Sequence, residues 1–599
     1  MRFVIDPPCY PSDTLIDPPP YPSPRRGRGT RFSVLLRALL IAVFAASTAL
    51  AGTAREEVVR DFDKTAALPS GRALRVSHEH GDVVVRTHAL PEVRIHAKIR
   101  ASAETRAQAE DLVGRIQIEV LEDASGVSVR TVYPELGWGN RNVSFAVDYD
   151  IAMPETAPLS VRNNFGSVTA AGLKATADIV NGHGRLALSD VKGDSRLENK
   201  FGAVEASRIG GQLTITNANG AVSVTGVEGP LLVSNRFGDI TVRQARKPGT
   251  IVNANGKVDV AEATGPLSIT DSFGAVVVNA VTGDLTVNHR NGAVEARAIS
   301  GAAELNGSFG DITFSDVGGR LAVSGNNGRV SGTGAKGPAR VRNSFGDVVL
   351  REIHGDLDVQ NANGAVRVQD VKGSVVIRTR FGDVEATAIR GGVTIENANA
   401  AVLLRDVTGA ADVRTSFGRV EVRQVTQGVK VFGANGDVSV GDAGGAVFVK
   451  TSFGLAQAER VGALTVDSAN GAVRASAVKG SAQVRTSFGP VVLSDVDGSV
   501  DVRNQNGSVE VSGVTAKGPD GCHRIGLVTS FAPIRLALPG GSFNVSARTS
   551  FGKVQSGVPI TTTGPLSADS ITGTIGGGGC EVTLQNASGD ITLSAAPGR

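Results

Sequence analysis

The chain has 599 residues, a formal charge of +3, 75 glycines and only 4% aromatic residues. Setting aside residues 1–51 removes six basic and three acidic side chains from totals of 61 and 58, which leaves 55 of each. A balanced chain of this kind excludes nucleic acid as its partner, because phosphate binding needs a concentrated positive face. Abundant Gly and Val with few aromatics exclude a mainly helical protein and suit short strands joined by tight turns.

In chain order, residues 1–51 read as a Pro-rich leader, "IDPPCYPSDTLIDPPPYPSP", followed by a secretory signal. The signal has a basic start, an apolar run around Ala38 to Phe44 and the small-residue pattern Ala49-Leu50-Ala51. The run falls short of the about 20 residues of a membrane span. Cleavage is therefore expected rather than retention as an anchor, and an uncleaved signal is the chain's only route to a membrane. The Pro-rich stretch reads as disordered or as preceding the true start. The reading places the mature protein outside the cytoplasm, in the periplasm, at the outer membrane or on the cell surface.

Residues 52–160 depart from the rhythm that follows and read as a β-rich N-terminal cap. Within it Ala109, Leu112, Val113 and Ile116 sit at helical spacing, which predicts one short helix. The same segment holds His78, His80, His88 and His96. Zinc accepts such ligands, but "HEHGDVVV" aligns with the later "NANGAVRV", which makes solvated strand histidines the better reading, and no metal site is assigned.

From 161 to 516 the chain repeats. Phe-Gly pairs begin at Phe165, Phe201, Phe237, Phe273, Phe309, Phe345, Phe381, Phe417 and Phe453, always 36 residues apart, and then at Phe488, one residue early. Midway between them fall glycines such as Gly184, Gly220, Gly256 and Gly364, mostly in "NG". The unit is half of that spacing, an 18-residue repeat used in alternating Phe and Asn versions. Apolar residues at Val348, Leu350, Ile353, Leu357 and Val359 mark two short strands per unit. Gly346 and Gly355 are expected to turn the chain between them through φ values that other residues avoid. The turn glycines assigned on this basis are Gly166, Gly184, Gly202, Gly220, Gly238, Gly256, Gly346 and Gly364. A lone unit cannot fold, since five aliphatics at roughly 2 kcal/mol each do not offset about 1–2 kcal/mol of backbone entropy per residue. Stacked copies can, and the fold predicted is an all-β single-stranded β-helix or β-solenoid.

Two coils fit the repeat. With 36 residues per coil Phe stacks on Phe; with 18 it stacks on Asn, and successive phenylalanines stand about 9.6 Å apart, twice the strand spacing. The 18-residue coil fills its interior better and is the one expected, with Phe165, Phe201, Phe237, Phe345, Phe381 and Phe417 each plugging a corner left loose by the next coil. Residues 517–599 break step again and read as a C-terminal β cap. They hold Cys522 and Cys580, which in an oxidising compartment either pair or stay as two buried thiols.

The "NxFGxV" and "NxNGxV" units, the entry "YDIAMPETAPLSVRNNFGSV" (Tyr149 to Val168) and the ending "GTIGGGGCEVTLQNASGDITL" (Gly573 to Leu593) resemble the bacterial putative-adhesin family, a domain of unknown function built from β-strand repeats on exported proteins. The resemblance implies a β-helical fold and an envelope location, and it brings no catalytic residues.

The residues themselves point away from catalysis. Asp347, Asp383 and Asp437 recur at comparable outward places, whereas a catalytic carboxylate pair is a local exception to a pattern. The histidines do not form the helical HExxH signature, and neither GxSxG nor the phosphate-binding GxxxxGK[ST] occurs in a usable context. The glycine spacing lacks the GGxGxD of calcium-binding solenoids. Thr379, Thr415, Thr451 and Thr486 come only every second unit, too sparse for an ice-binding array. Arg342, Arg378, Arg414, Lys450 and Arg485 precede successive Phe units and should line one edge, either as a solubilising row or as a ladder for an anionic glycan or lipid head group. The expectation is an exported, non-enzymatic adhesin or envelope interaction protein without a cofactor, engaging a glycan, an envelope component or another surface protein. A polysaccharide-acting β-helix enzyme is the alternative.

Overall fold

The computed structural model describes residues 55–135, 143–518, 521–565 and 567–596; the leader and signal assigned to 1–51, with Cys9, lie outside the described residues. Among the described residues every regular element apart from one short helix is a β-strand. In the middle of the chain each coil contains one longer and one shorter strand, as in Ala339–Phe345 and Val348–Ile353, followed by Leu357–Asn363 and Val366–Val371. Each strand pairs in parallel with its copy in the next repeat unit: Phe345 lies opposite Asn363, Asn363 opposite Phe381, and Val348 opposite Val366. The chain therefore forms the shorter of the two coils, and Phe stacks on Asn. Long strands stack into one parallel sheet and short strands into the other.

The core lies between these sheets. Val348, Leu350, Ile353, Leu357 and Val359 are each at most 1% exposed. Burial on both faces of a coil comes from its neighbours above and below, so each Val column is continuous, the arrangement a stacked repeat requires.

The two corners turn by different means. At the first, the assigned glycines from Gly166 to Gly364 have φ between +113° and +133°, and a Cβ on Gly346 would stand 2.2 Å from the Gly328 carbonyl oxygen of the coil beneath. At the second, the expected left-handed glycine is not where the strain sits. Gly355 is a glycine because a Cβ there would meet Pro338 N at 2.5 Å. The left-handed residue is Glu352, φ +55°, matched by Asp370, Ala388 and Asp406 at +55°, +59° and +56°. Two outward residues in succession, Arg351 and Glu352, form a bulge that brings Ile353 back inward.

At the N-terminal end the order is β1 (Glu56–Ala67), β2 (Ala73–His80), β3 (Val83–His88), β4 (Glu92–Ala103), α1 (Arg106–Arg115), β5 (Gln117–Asp123), β6 (Gly126–Val132), β7 (Ser144–Pro154), β8 (Leu159–Phe165) and β9 (Val168–Ala171). β2 and β3 already form a coil, parallel to β8 and β9 with His80 opposite Phe165, so the stacking begins inside the segment read as a cap. The stack ends where the pairing becomes antiparallel, in β1 with β4, β4 with β7 and β5 with β6. Antiparallel hairpins close an edge that would otherwise recruit another chain. α1 opens with a capping box between Thr105 and Gln108 and buries Ala109, Leu112 and Val113.

At the other end the chain order is broken. The coil made by Cys580–Asn586 and Ile591–Ala595 inserts between the coil of Ile525–Thr529 and Ile534–Leu538 and that of Phe543–Thr549 and Val554–Ser556. Ser570–Ile575 then pairs antiparallel with Phe543–Thr549. Cys522 and Cys580, with Cα atoms 5.0 Å apart, are joined in a disulfide.

Candidate functional site

Three columns of side chains run along the long-strand sheet, and alternation decides their faces. In Ala339–Phe345, Val341 and Asn343 point inward and Arg342 outward. Phe345 lies past the last inward position, where the strand bends to its glycine, and its side chain turns to solvent. Phe165, Phe201, Phe237, Phe345, Phe381 and Phe417 are between 47% and 55% exposed, which overturns the expectation that they plug the corners. The corner interior is already taken by the buried Asn column, which sequence reasoning missed. Asn361 Nδ2 donates to the carbonyl oxygens of Gly346 at 3.1 Å and Gly364 at 2.9 Å, tying one coil's turn to the next. Thr415, Thr451 and Thr486 replace it in some coils, each donating to the carbonyl of the following Phe at 2.8, 2.9 and 3.0 Å, and Thr379 is buried at the same position. The signal for this column was the residue two before each Phe or Asn, mostly Asn or Thr.

Between successive phenylalanines stands an Asn, such as Asn363, whose Nδ2 donates to the Ser344 carbonyl at 3.2 Å. Where a ring replaces that amide the stack is aromatic throughout: His183 lies 4.8 Å from Phe165 and 4.6 Å from Phe201, parallel within 8°.

The repeated aspartates have a structural task. Asp347, Asp383 and Asp437 accept the backbone N–H of Ala365, Ala401 and Leu455, each in the following coil, at 3.0, 3.1 and 2.8 Å. They fasten coil to coil.

The four histidines do not converge. His78 is buried, with Nδ1 3.0 Å from Thr131 Oγ1, which is itself 2.6 Å from the Tyr149 hydroxyl. Desolvation lowers its pKa to about 4; burial also pushes the Tyr149 hydroxyl up to about 12. His80 stacks on Phe165, His88 Nδ1 accepts from Leu90 N, and His96 meets Asp63 at 2.8 Å. Among the described residues no three or more His, Cys, Asp or Glu side chains form a group able to hold a metal.

The basic residues do fall in one column, but with other residues between them. In pairing order it runs Arg342, Gln360, Arg378, Glu396, Arg414, Phe432, Lys450, Asp467, Arg485. Arg378 bridges Asp358 and Glu396 at 3.5 and 3.3 Å, and Arg414 reaches Asp412 at 3.0 Å. Beside this column, between Ser324 and Phe432, the sheet is hollowed into a groove of about 990 Å³. The floor is small because the residue before each Phe or Asn is often Ser or Ala, as at Ser344, Ala362, Ala398 and Ser416.

Residues 392–594 match the family described as Toastrack DUF4097. A solved structure titled a putative cell adhesion protein from Clostridium sporogenes is 12% identical, covering 38% of this chain and all of its own, with a TM-score of 0.16. No curated protein matches the chain. Over residues 392–594 this chain is thus similar to a domain family of unknown function, and the resemblance to putative-adhesin repeats rests on that stretch together with its 18-residue coil.

Proposed function

We propose that the protein is an exported, non-enzymatic solenoid that acts as an adhesin or envelope interaction protein, located in the periplasm, at the outer membrane or on the cell surface. One observation carries this reading: the outward side chains recur every second coil at a fixed place, so that Phe345, Phe381 and Phe417 present the same half-exposed ring in register. Equivalent sites on one rigid support act multivalently, each contact weak and the sum strong through effective concentration. An active site is a single departure from pattern, whereas the acids that recur here are spent on backbone N–H groups.

The test is binding of the purified mature chain to whole cells and isolated envelopes, with surface labelling of intact cells. Avidity should fall stepwise as coils are removed two at a time, one Phe unit with one Asn unit. Turnover of a polysaccharide by the purified protein would overturn the reading in favour of a β-helix enzyme.

A further inference from the structure

The groove between Ser324 and Phe432 spans seven coils, roughly 29 Å at the ~4.8 Å spacing of paired strands. Its wall carries Arg342, Arg378, Arg380 and Arg414 against a single lining acid, Glu396, in a chain whose formal charges cancel overall once residues 1–51 are set aside. Arg342 and Arg380 make no side-chain ion pair or hydrogen bond with any described residue, whereas Arg378 and Arg414 hold exposed ion pairs to Asp358, Glu396 and Asp412 that a ligand carboxylate displaces on binding. The rest of the wall and floor is amide and hydroxyl, including Asn326, Gln360, Ser344 and Ser416. At one end stands the ring of Phe432, with the Arg414 guanidinium 5.3 Å from its centre. One residue beyond the floor runs the half-exposed column of Phe345, Phe381 and Phe417.

Charge and aromatic columns share one period. Arg342, Arg378 and Arg414 recur every second coil, about 9.6 Å, and so do the phenylalanines. An extended peptide returns a side chain to the same face every ~6.7 Å and falls out of step within two coils. An extended β-linked glycan advances by close to one strand spacing per pyranose ring, so alternate sugars keep step with alternate coils. Pyranose hydroxyls suit amide and hydroxyl walls, and a carboxylate suits the planar guanidinium fork.

We infer that this groove binds an extended acidic polysaccharide, one sugar per coil, with a carboxylate on every second sugar met by Arg342, Arg378 and Arg414. The inference rests on the proposed surface function and names a ligand class for it.

The experiment is calorimetric titration of the whole mature protein with a hyaluronan hexasaccharide, in which uronate and amino sugar alternate. Neutral chitohexaose, a hexaglutamate peptide and phosphatidylglycerol vesicles serve as comparisons. Saturable binding of the acidic glycan alone is expected, weakening as NaCl is raised because exposed charges are screened. The triple variant Arg342→Gln, Arg378→Gln, Arg414→Gln should lose at least about tenfold in affinity, while Arg94→Gln with Arg185→Gln, exposed elsewhere, should keep it. Unchanged affinity in the triple variant, equal binding of the neutral glycan, or equal binding of peptide or vesicles would overturn the inference. So would no binding to the acidic glycan by a protein that still adheres to whole cells, an outcome that leaves the surface function standing.

Discussion

A side chain's place relative to the glycine corner decides what it is worth. Asn343 and Phe345 are close neighbours in one strand, yet one is buried and bonded to the Gly328 and Gly346 carbonyls while the other is 55% exposed. Since Asn363 holds the Phe position in the next coil, Phe345→Asn should cost about 1 kcal/mol or less, the value of a half-buried ring. Leu350→Ala, which empties the core, should cost about 2–5 kcal/mol. Chemical denaturation of the two variants checks the contrast; a Phe345 loss equal to that of Leu350 would restore the corner plug. From sequence the identity and period of the phenylalanines were legible but their direction was not. Period-two alternation continues an inward count to Phe345, and only the bend into Gly346 turns the ring out.

Among the elements, β2 shows how a strand's neighbours set its chemistry. His78 resembles an ordinary strand histidine in sequence, but β6 and β7 bring Thr131 and Tyr149 against it and bury it. Its pKa falls from 6.5 when unfolded to about 4 when folded, so the native state holds it neutral. As pH drops through 6.5 the unfolded chain takes up a proton that the folded one refuses, and stability declines until both are protonated near pH 4. The shift corresponds to about 3 kcal/mol. Protection factors of the amides in β2, β6 and β7, taken against the intrinsic exchange rate at each pH, should therefore fall between pH 6.5 and 4, and His78→Gln should flatten that dependence. The same scale explains the early Phe488. Val447 pairs with Leu464 and Val438 with Ala456, so the step from one coil to the next is one residue shorter in the long-strand sheet than in the short-strand sheet at that point. The missing residue lies at the second corner, between Val461 and Leu464.

For the whole molecule, stability is a sum over neighbouring coils, and an open end is its weak point. The C-terminal end is held by a coil inserted out of chain order and by the Cys522 to Cys580 disulfide, whose partners are 58 residues apart. Closing that loop is worth about 4 kcal/mol in the entropy model. Reduction should raise hydrogen exchange across residues 521–596 and leave the coils around 343–378 unchanged; uniform loss of protection would mean that the coils unfold as one unit rather than from the end.

The stacked two-strand unit was already written in the residue pattern. Glycines at a fixed spacing admit no Cβ where the chain turns against the coil below, and aliphatics at alternate positions need a neighbour above and below, so strand content and stacking follow from local sterics and burial, while the choice of 18 over 36 residues per coil came from the strand pairing. The residue pattern also made the helix legible, since Ala109, Leu112 and Val113 share one face. Everything set by the path between repeats emerged in three dimensions: the outward turn of the phenylalanines, the left-handed residue at Glu352, the burial of His78, the groove beside Arg342 and the insertion of Cys580–Asn586 between earlier coils. Those depend on which backbone passes next to which, and no residue pattern within a single unit encodes that.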